Sequence, residues 1–507
     1  MAMGKKRARQ QPLWIATGEL PRTRGHVFYD RVNEILKDEK FDEFAEKECV
    51  RFYKSETMGR PSVAPGVYFR MLMVGYFEGI DAERGIAWRC ADSLSLKSFL
   101  GFALTESTPD HSTVSRTRRL IDLETHGRVF TWMLQVLAKH GLIDGKTIGV
   151  DGTTLEANAA MRSIVRRDTG ESYTEFLTKL AKASGIETPT QEDLAKLDRK
   201  RPKKGSNEEW EHPDDPDAKI TKMKDGQTHL AHKAEHAVDM ETGAVLAVTL
   251  QDANAGDTTT IQQTLVTVAE QMEKLTEDPE TAQQIAENWL EELVTDKGYH
   301  SNDTLVDLKE FGIRSYISEP KRGQRNWIGK KAERDAVYAN RRRIRGDRGK
   351  SLLRRRGLML ERPFAHCYET GGMRRTHLRG RENILKRLLI HIAGFNLSLV
   401  LRLMIGKGTP RGLQDLALAY FLTLIAVIKC FWQVLEARIG SKIRWNAQIA
   451  ARVFADRNFK LETTATGCWP RECSSYLYFL YSYSLQRVAR TVSLSFSSLR
   501  RVRCATV

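Results

Sequence analysis

The spacing of apolar residues divides the chain into a helical first part and a longer part in which strands alternate with helices. Residues 67–77 carry apolar side chains at helical spacing after Pro65, a residue suited to the first turn of a helix. Residues 123–140 form a longer amphipathic pattern. These segments predict a small helical domain ahead of the first strand.

Two further helices are predicted from their capping residues. Asp81 is placed to cap one helix, and Asp110 or Ser112 is placed to cap the next. The second of these would present Arg116 and Arg119 about one turn apart. Two interpretations stay open for this region: a helix-turn-helix that reads DNA and an ordinary small helical domain.

From residue 147 onward the order becomes strand, hairpin, helix, strand, helix, strand, helix. The predicted strands cover residues 147–154, 293–299 and 313–317, the hairpin covers 229–238 and 244–251, and the helices lie near 257–275 and 303–311. Alternation of this kind is typical of a mixed α/β sheet with flanking helices. Asp151 and Asp296 would then leave neighbouring strands at one edge of a cleft.

A polar stretch, residues 161–217, interrupts this order. It has few apolar residues and many charged ones, including a basic cluster at residues 199–204. Such a composition buries little apolar surface, so we expect a mobile insertion here.

The formal net charge of +16 favours a polyanionic partner. Residues 321–356 hold 15 lysine or arginine residues and three acidic ones, so most of the excess lies in one tract. We interpret this basic tract as a surface that follows phosphate groups, with a solvated linker as the alternative. Trp327 within it could stack on a base, although a lone tryptophan is more often a packing residue.

The remaining composition favours a cytoplasmic protein. Residues 1–9 are basic but no apolar signal-peptide core follows them. The apolar run 416–428 is shorter than the roughly 20 residues that span a bilayer, so a buried helix is expected there. An odd number of scattered cysteines favours reduced thiols; they are Cys49, Cys90, Cys367, Cys430, Cys468, Cys473 and Cys504.

Three carboxylates are candidates for a divalent-metal site. Asp151 and Asp296 each follow an apolar strand, and Glu361 follows the basic tract on a predicted helix. A carboxylate at the end of a buried strand must be hydrated, paired or bound to a metal, although any single Asp could also be a turn or cap residue. Mg²⁺, or Mn²⁺, prefers such hard oxygen ligands, and two ions about 4 Å apart can clamp a phosphoryl transfer.

Four segments, in this order, resemble the DDE transposases of bacterial insertion sequences. They are residues 109–116, the VDGT of 150–153, the TDKGY of 295–299, and the ERPFAH of 361–366 with the RRTHLRG of 374–380. The resemblance covers roughly residues 55–405. It implies an α/β fold, an RNase H-like mixed sheet with flanking helices, preceded by a helical N-terminal domain.

The resemblance implies that Asp151, Asp296 and Glu361 are the metal-binding catalytic triad. Tyr338 and Arg341 match a pair that related transposases place before the third acid. Two positions depart from the family pattern, which leaves Glu361 with rivals. Arg345 stands where a Glu is expected and Tyr368 where a Lys is expected; the rival acids are Glu333, Glu369 and Glu382. The DNA contacts that we expect are Arg116, Arg119, Tyr338, Arg341, Arg356, Arg362 and Lys386.

Pattern and resemblance together predict four parts: an N-terminal segment (1–58), a helical DNA-binding domain (59–145), a catalytic domain (146–405) and a C-terminal helical region with a tail (406–507). From about residue 467 the tail is rich in Ser, Arg and Tyr. A reading-frame change in a decaying mobile element is one hypothesis for it.

The activity implied by the resemblance is metal-dependent cleavage of double-stranded DNA at the element ends, followed by transfer of the freed 3′-hydroxyl to target DNA. A homodimer on DNA, associated with the nucleoid, is implied as well, and no membrane is involved. Two alternatives stay open. One is a catalytically inactive DNA-binding regulator derived from a transposase, and the other is a metal-dependent nuclease that cuts without joining.

Overall fold

The computed structural model describes residues 16, 20, 22–53, 62–201, 205–223, 226–321, 323 and 325–413. The predictions for residues 1–9, for the apolar run 416–428 and for the tail lie outside the described residues. Within them, Cys49, Cys90 and Cys367 are buried free thiols, in line with the expectation of reduced cysteines.

Among the described residues, seven helices precede the first strand: α1 (Arg24–Asp38), α2 (Phe41–Cys49), α3 (Pro65–Glu78), α4 (Glu83–Asp92), α5 (Leu94–Phe99), α6 (His111–Leu120) and α7 (Leu123–Lys139). The helices predicted over residues 67–77 and 123–140 are confirmed. α3 starts with Pro65 and ends before Gly79, whose φ of 67° is the left-handed conformation that favours glycine.

The capping residues are partly as predicted. Asp110 caps α6, because its carboxylate accepts a hydrogen bond from the Thr113 backbone N–H at 2.7 Å. That bond, together with one from the Ser112 hydroxyl, lowers the pKa of Asp110 to about 2. The expectation for Asp81 is wrong: Ala82 precedes α4 and makes no side-chain cap. The Asp81 carboxylate instead contacts His377 at 2.9 Å.

The rest of the described chain follows the predicted alternation. Its strands are β1 (Thr147–Glu156), β2 (Val165–Arg166), β3 (Trp210–Glu211), β4 (Lys219–Lys222), β5 (Thr228–Asp239), β6 (Val245–Asp252), β7 (Glu292–Thr295) and β8 (Arg314–Ile317). Its helices are α8 (Tyr173–Ala183), α9 (Gln191–Lys200), α10 (Asp257–Glu277), α11 (Pro279–Ala282), α12 (Asn302–Glu310), α13 (Lys331–Arg345), α14 (Asp347–Phe364) and α15 (Arg381–Ile405).

The main sheet has the strand order β4-β5-β1-β7-β8, and β6 also pairs with β5. β5 runs antiparallel to its neighbours β1, β4 and β6, whereas β1, β7 and β8 are parallel to one another. Parallel strands need crossover connections, which α12 and the longer path from β1 to β7 supply. The predicted mixed α/β sheet with helices before it is confirmed.

The expectation of a mobile insertion is wrong for the described part of residues 161–217. This segment contains α8, α9 and the paired strands β2 and β3. Its few apolar residues gather around Trp210, which is 1% exposed and meets the rings of Tyr173 and Phe176 edge-on at 5.0 and 5.3 Å. The Arg201 guanidinium lies 4.9 Å from the Phe176 ring centre. A small aromatic cluster therefore folds a segment that is polar on average.

α15 crosses the core and packs against α3 and α7. Residues 381–412 are long and apolar enough to cross a membrane by length and composition, yet most of this helix is buried within the protein. Its Arg387 is 1% exposed and donates hydrogen bonds to the Leu72 and Ile80 carbonyls at 2.6 and 3.2 Å. Gly75 makes room for this guanidinium, because a Cβ there would collide with it. These contacts fit a central core helix.

Two asparagine side chains satisfy backbone groups on strands at the two sides of the sheet. The Asn396 amide of α15 bonds both the N–H and the carbonyl of Val245, at 3.0 and 2.8 Å. The Asn340 amide of α13 does the same for Ile317 of β8, at 3.0 and 2.8 Å. Edge strands present unpaired backbone groups, so each amide satisfies two of them and attaches a helix to the sheet.

The carboxylate of Glu292 joins two strands and a helix to β7. It accepts hydrogen bonds from the Thr147 hydroxyl of β1 (2.7 Å), the Tyr316 hydroxyl of β8 (3.0 Å) and Nε of Arg348 on α14 (2.8 Å). Burial alone would raise the pKa of Glu292. The hydrogen bonds from Arg348, Thr147 and Tyr316 outweigh burial and lower this pKa to about 2.

Replacing Glu292 by Gln should lower the free energy of unfolding by about 2 kcal/mol near pH 7, since three donors lose a buried charged acceptor. The folded-state pKa of about 2 lies below the ordinary value of 4.5. The contribution of the carboxylate is therefore complete above that ordinary value and is lost as the pH falls through about 2. Urea unfolding of both proteins across this interval should show the difference narrowing; a constant difference would contradict the assignment.

Candidate functional site

Asp151 on β1 and Asp296, which directly follows β7, come from neighbouring parallel strands. Gly149 of β1 and Val294 of β7 form the last pair between the two strands, and each aspartate lies two residues further along the chain. The prediction that they come from neighbouring strands is confirmed. The prediction that Asp151 ends its strand is wrong: β1 continues to Glu156, because β5 keeps pairing with it beyond the end of β7.

The Asp151 carboxylate is partly buried among charged groups. Burial, with a smaller contribution from the neighbouring Asp296 and Asp257, raises its pKa to about 6. Two contacts oppose this rise: Arg356 donates to Oδ2 at 3.2 Å, and the Gly152 N–H donates to Oδ1 at 2.9 Å. The site therefore concentrates more negative charge than its local partners neutralise.

Asp296 begins a tight turn that also contacts Asp257. Its Oδ1 accepts the Gly298 N–H at 2.8 Å. A Cβ at Gly298 would lie 3.0 Å from Asp296 Oδ1 and would collide with Asp257 Oδ2. Both carboxylates thus lie against the same glycine, and a side chain there would fill the space between them. Sequence reasoning missed Asp257, which the pattern marks only as the first residue of a predicted helix.

The other oxygen of Asp257 is held by a buried lysine. Lys233 Nζ donates to Asp257 Oδ1 at 2.6 Å and to the Thr260 hydroxyl at 2.8 Å, and it lies 3.6 Å from Glu235. Glu235 is fully buried and accepts the Tyr299 hydroxyl at 2.7 Å. This network supports the two aspartates from the α10 side of the sheet.

α14 lies over the opposite face of β1. Leu360 packs against Gly149, where a Cβ would be 3.0 Å from its Cδ2. Arg356 contacts Asp151, and the Phe364 ring lies 4.8 Å from that of His236, the residue opposite Asp151 on β5. The helix that carries Glu361 is therefore placed above the strand of Asp151.

The Glu361 side chain itself is exposed on α14. Within the described part of the chain, no group of three or more His, Cys, Asp or Glu side chains is close enough to hold a metal ion as they stand. Among the rivals, Glu369 is paired with Arg374 and Glu382 with Lys386 (2.7 Å), while Glu333 lies in the first turn of α13. The structure thus brings two predicted acids together and leaves the third at the surface.

The donor chemistry at the aspartates fits a divalent cation. Asp151, Asp296 and Asp257 supply carboxylate oxygens, which hard ions such as Mg²⁺ and Mn²⁺ prefer. Two of these three carboxylates are paired with cationic side chains, Asp151 with Arg356 and Asp257 with Lys233. Because Gly298 has no side chain, the carboxylates of Asp257 and Asp296 lie next to the same open space.

The predicted DNA contacts on α6 lie at the surface. Arg116 and Arg119 are exposed, and their Nε atoms bond carbonyls of their own helix, those of Ser112 and Ser115. Arg118 between them is buried and pairs with Glu83 at 2.7 Å. One arginine therefore attaches α6 to α4, and two remain at the surface.

The other predicted DNA contacts differ in accessibility. Arg362 is exposed on α14, and Tyr338 is 46% exposed. Arg341 lies over the Tyr338 ring and makes two bonds to Glu319, at 2.6 and 2.8 Å. Lys386 is 3% exposed and is paired with a glutamate of its own helix, so it does not lie at the surface.

Most of the described part of the basic tract, from residue 331 to 356, forms helices α13 and α14 and not a linker. Several of its arginines bind the protein itself: Arg343 donates to the Ser315 carbonyl, Arg348 to Glu292 and Arg355 to Glu241. Other basic side chains of the tract are exposed, namely Lys321, Lys330, Lys331, Arg334, Arg342, Arg345, Lys350 and Arg354. Only part of the positive charge is therefore available to a partner.

Gly298→Ala should lower the free energy of unfolding by about 1–2 kcal/mol, because the new methyl group forces two carboxylates apart. Gly357→Ala is the control, since a Cβ there meets open space and α14 should gain about 0.5–1 kcal/mol from alanine. Urea unfolding of the two variants should give opposite signs. Equal stabilities of Gly298→Ala and the wild type would refute the close approach at this turn.

Two family models match the chain. A model described as a transposase domain (DUF772) matches residues 19–120, and one described as a transposase DDE domain matches residues 138–397, half of the chain. No curated protein matches it. The sheet order and these matches confirm the resemblance and the RNase H-like fold expected with it. The chain belongs to the insertion-sequence DDE transposases.

Proposed function

We propose that this transposase binds the ends of its mobile element, cleaves DNA there with a divalent metal, and joins the freed 3′ end to target DNA. The observation that carries this proposal is the origin of Asp151 and Asp296 from two neighbouring parallel strands, with α14 in contact with Asp151 through Arg356. Two adjacent carboxylates at a partly buried edge repel each other, and a cation bound between them would remove this repulsion.

Asp151 and Asp296 would hold Mg²⁺ or Mn²⁺, and Glu361 is the third acid of the proposed set. When bound, the ion supplies an activated water and neutralises charge on the phosphate. Arg356, whose guanidinium lies beside Asp151, is placed to bind a phosphate oxygen at the same position. Leu360 and Phe364 fix the face of α14 that meets the sheet and so fix where Arg356 points.

Both proposed reactions are in-line displacements at phosphorus. In the first, water attacks the phosphodiester at the element end and a 3′-hydroxyl leaves. In the second, that hydroxyl attacks a target phosphodiester and displaces another 3′-hydroxyl. No covalent enzyme intermediate is needed, so the residues of the site act by positioning and by charge.

The exposed arginines of α6, Arg116 and Arg119, are the proposed contacts with the element ends. Arg362 and the exposed basic residues of the tract would bind DNA backbone near the aspartates. Lys386 is left out of this set because it is buried. We expect a homodimer on DNA, because two element ends must be held in one complex. This complex would be bound to the chromosome in the cytoplasm.

One observation favours a second candidate, a catalytically inactive DNA-binding regulator. Glu361 is exposed, and the described acidic residues do not form a group of three that could hold an ion. A regulator would need the basic surfaces and not the acids. Cleavage assays separate the two functions.

Asp151→Asn and Asp296→Asn should each reduce Mg²⁺-dependent cleavage of DNA that carries the flanks of this reading frame at least about a thousandfold, because several kcal/mol of transition-state stabilisation is lost. Glu361→Gln should act alike. Asp38→Asn, an exposed carboxylate on α1, is the control. Cleavage by neither the wild type nor any variant, with DNA still bound, would favour the regulator. Normal cleavage by Glu361→Gln would mean that Glu361 is not the third acid, and Glu333, Glu369 and Glu382 would be the next residues to substitute.

The double variant Arg116→Ala/Arg119→Ala should weaken binding to the same DNA and lower the slope of log K against log salt by about two, one for each phosphate that the protein no longer neutralises. Arg31→Ala/Lys37→Ala removes two exposed cations from α1 and is the matched control. Fluorescence anisotropy over a salt series measures both quantities. An unchanged slope in the α6 variant would mean that this region is an ordinary helical domain.

A further inference from the structure

We propose that Asp257 is a fourth carboxylate of the catalytic site and supplies a ligand to the divalent metal beside Asp296. The inference rests on the proposed function, since it assumes a metal at the two aspartates. It adds a residue from a different element, the first turn of α10, to acids that come from β1, β7 and α14.

The position of Asp257 suits this role. Asp257 Oδ2 and Asp296 Oδ1 lie against the same glycine, and the space between them admits no side chain at that residue. The Asp257 side chain is 38% exposed, so its free oxygen faces a region that solvent and ions can reach.

The two oxygens of Asp257 have different surroundings. Lys233 holds Asp257 through Oδ1, at 2.6 Å, which leaves Oδ2 directed toward Gly298. Lys233 also lies 3.6 Å from the buried Glu235 and donates to Thr260 at 2.8 Å. Movement of Asp257 toward an ion would therefore not leave the lysine without an anionic partner.

The charge balance of the region also favours an ion at Asp257. Asp151, Asp296, Asp257 and Glu235 carry four carboxylates into one region, and Arg356 and Lys233 supply two cations. These groups therefore carry more negative than positive charge, and a divalent ion would reduce this excess. Asp257 is the carboxylate whose second oxygen faces Asp296, so it is the one that can share the ion with it.

The test measures Mn²⁺ binding to the full-length protein on duplex DNA from the flanks of the reading frame, by the EPR signal of free Mn²⁺. Asp257→Asn should weaken binding at least about tenfold, as Asp296→Asn should, because even outer partners of a metal site are worth about that much. Glu273→Gln removes an exposed carboxylate from the same helix and should have no effect.

A second pair of variants separates a ligand from a structural ion pair. Lys233→Met removes the cation that competes for Asp257, so Mn²⁺ should bind at least as tightly as in the wild type. Asp257→Cys should bind Cd²⁺ at least about tenfold more tightly than Asp257→Asn does, since a thiolate prefers soft metals. Thermal unfolding without metal shows whether each variant is folded, and Asp257→Cys is read against Asp257→Asn at the same site.

Wild-type affinity for Mn²⁺ in Asp257→Asn would overturn the inference and leave the proposed function standing. So would equal losses in Asp257→Asn and Lys233→Met without a Cd²⁺ gain in Asp257→Cys, because Asp257 would then act only through the ion pair. Absence of Mn²⁺ binding by the wild-type protein on DNA would refute the proposed metal site, and the inference with it.

Discussion

The parallel pairing of β1 and β7 is the constraint on which the site depends. It positions Asp151 relative to the turn that begins at Asp296, and a shift of β1 by one residue would turn the Asp151 side chain to the other face of the sheet. The buried Glu292 carboxylate fixes this register, because it takes hydrogen bonds from Thr147 of β1 and Tyr316 of β8. Its bond to Arg348 ties α14 to the same point. The Glu292 carboxylate at the start of β7 therefore fixes the strand register that positions Asp151 and Asp296 near the other end of β7.

The crowding of acids follows from that frame and explains the paired cations. Carboxylates brought together at a partly buried edge repel one another, and burial also disfavours their charged forms. Arg356 and Lys233 each reduce this cost from one face of the sheet. Both come from elements whose position is set by packing, α14 through Leu360 and Phe364, and β5 through its pairing with β1. Electrostatics at the site is thus a consequence of the way the layers pack.

The sequence predicts the elements well and their contacts only in part. Strand and helix patterns locate β1, β5, β7 and α10, because alternation and helical spacing are local properties. Asp257 carries no such signal: its closeness to Asp296 depends on the fold and on a glycine 41 positions later. The average composition of the insertion does not reveal its fold around Trp210 for the same reason. A few aromatic rings in contact stabilise this segment although most of its residues are polar. Long-range contacts decide both cases, and a single sequence does not display them.

The net charge shows the same limit for predictions of function. The basic tract suggests one continuous phosphate-binding surface, yet Arg343, Arg348 and Arg355 are used to attach α13 and α14 to the sheet. Arginine suits this work, because its planar group bonds a carboxylate or carbonyl at more than one point. The helix that brings Arg356 to Asp151 is therefore held in place by the same residue type that would bind DNA. Substituting arginines along this tract without regard to their contacts would change the position of α14 together with the affinity for DNA, so only exposed residues without such contacts report on DNA binding alone.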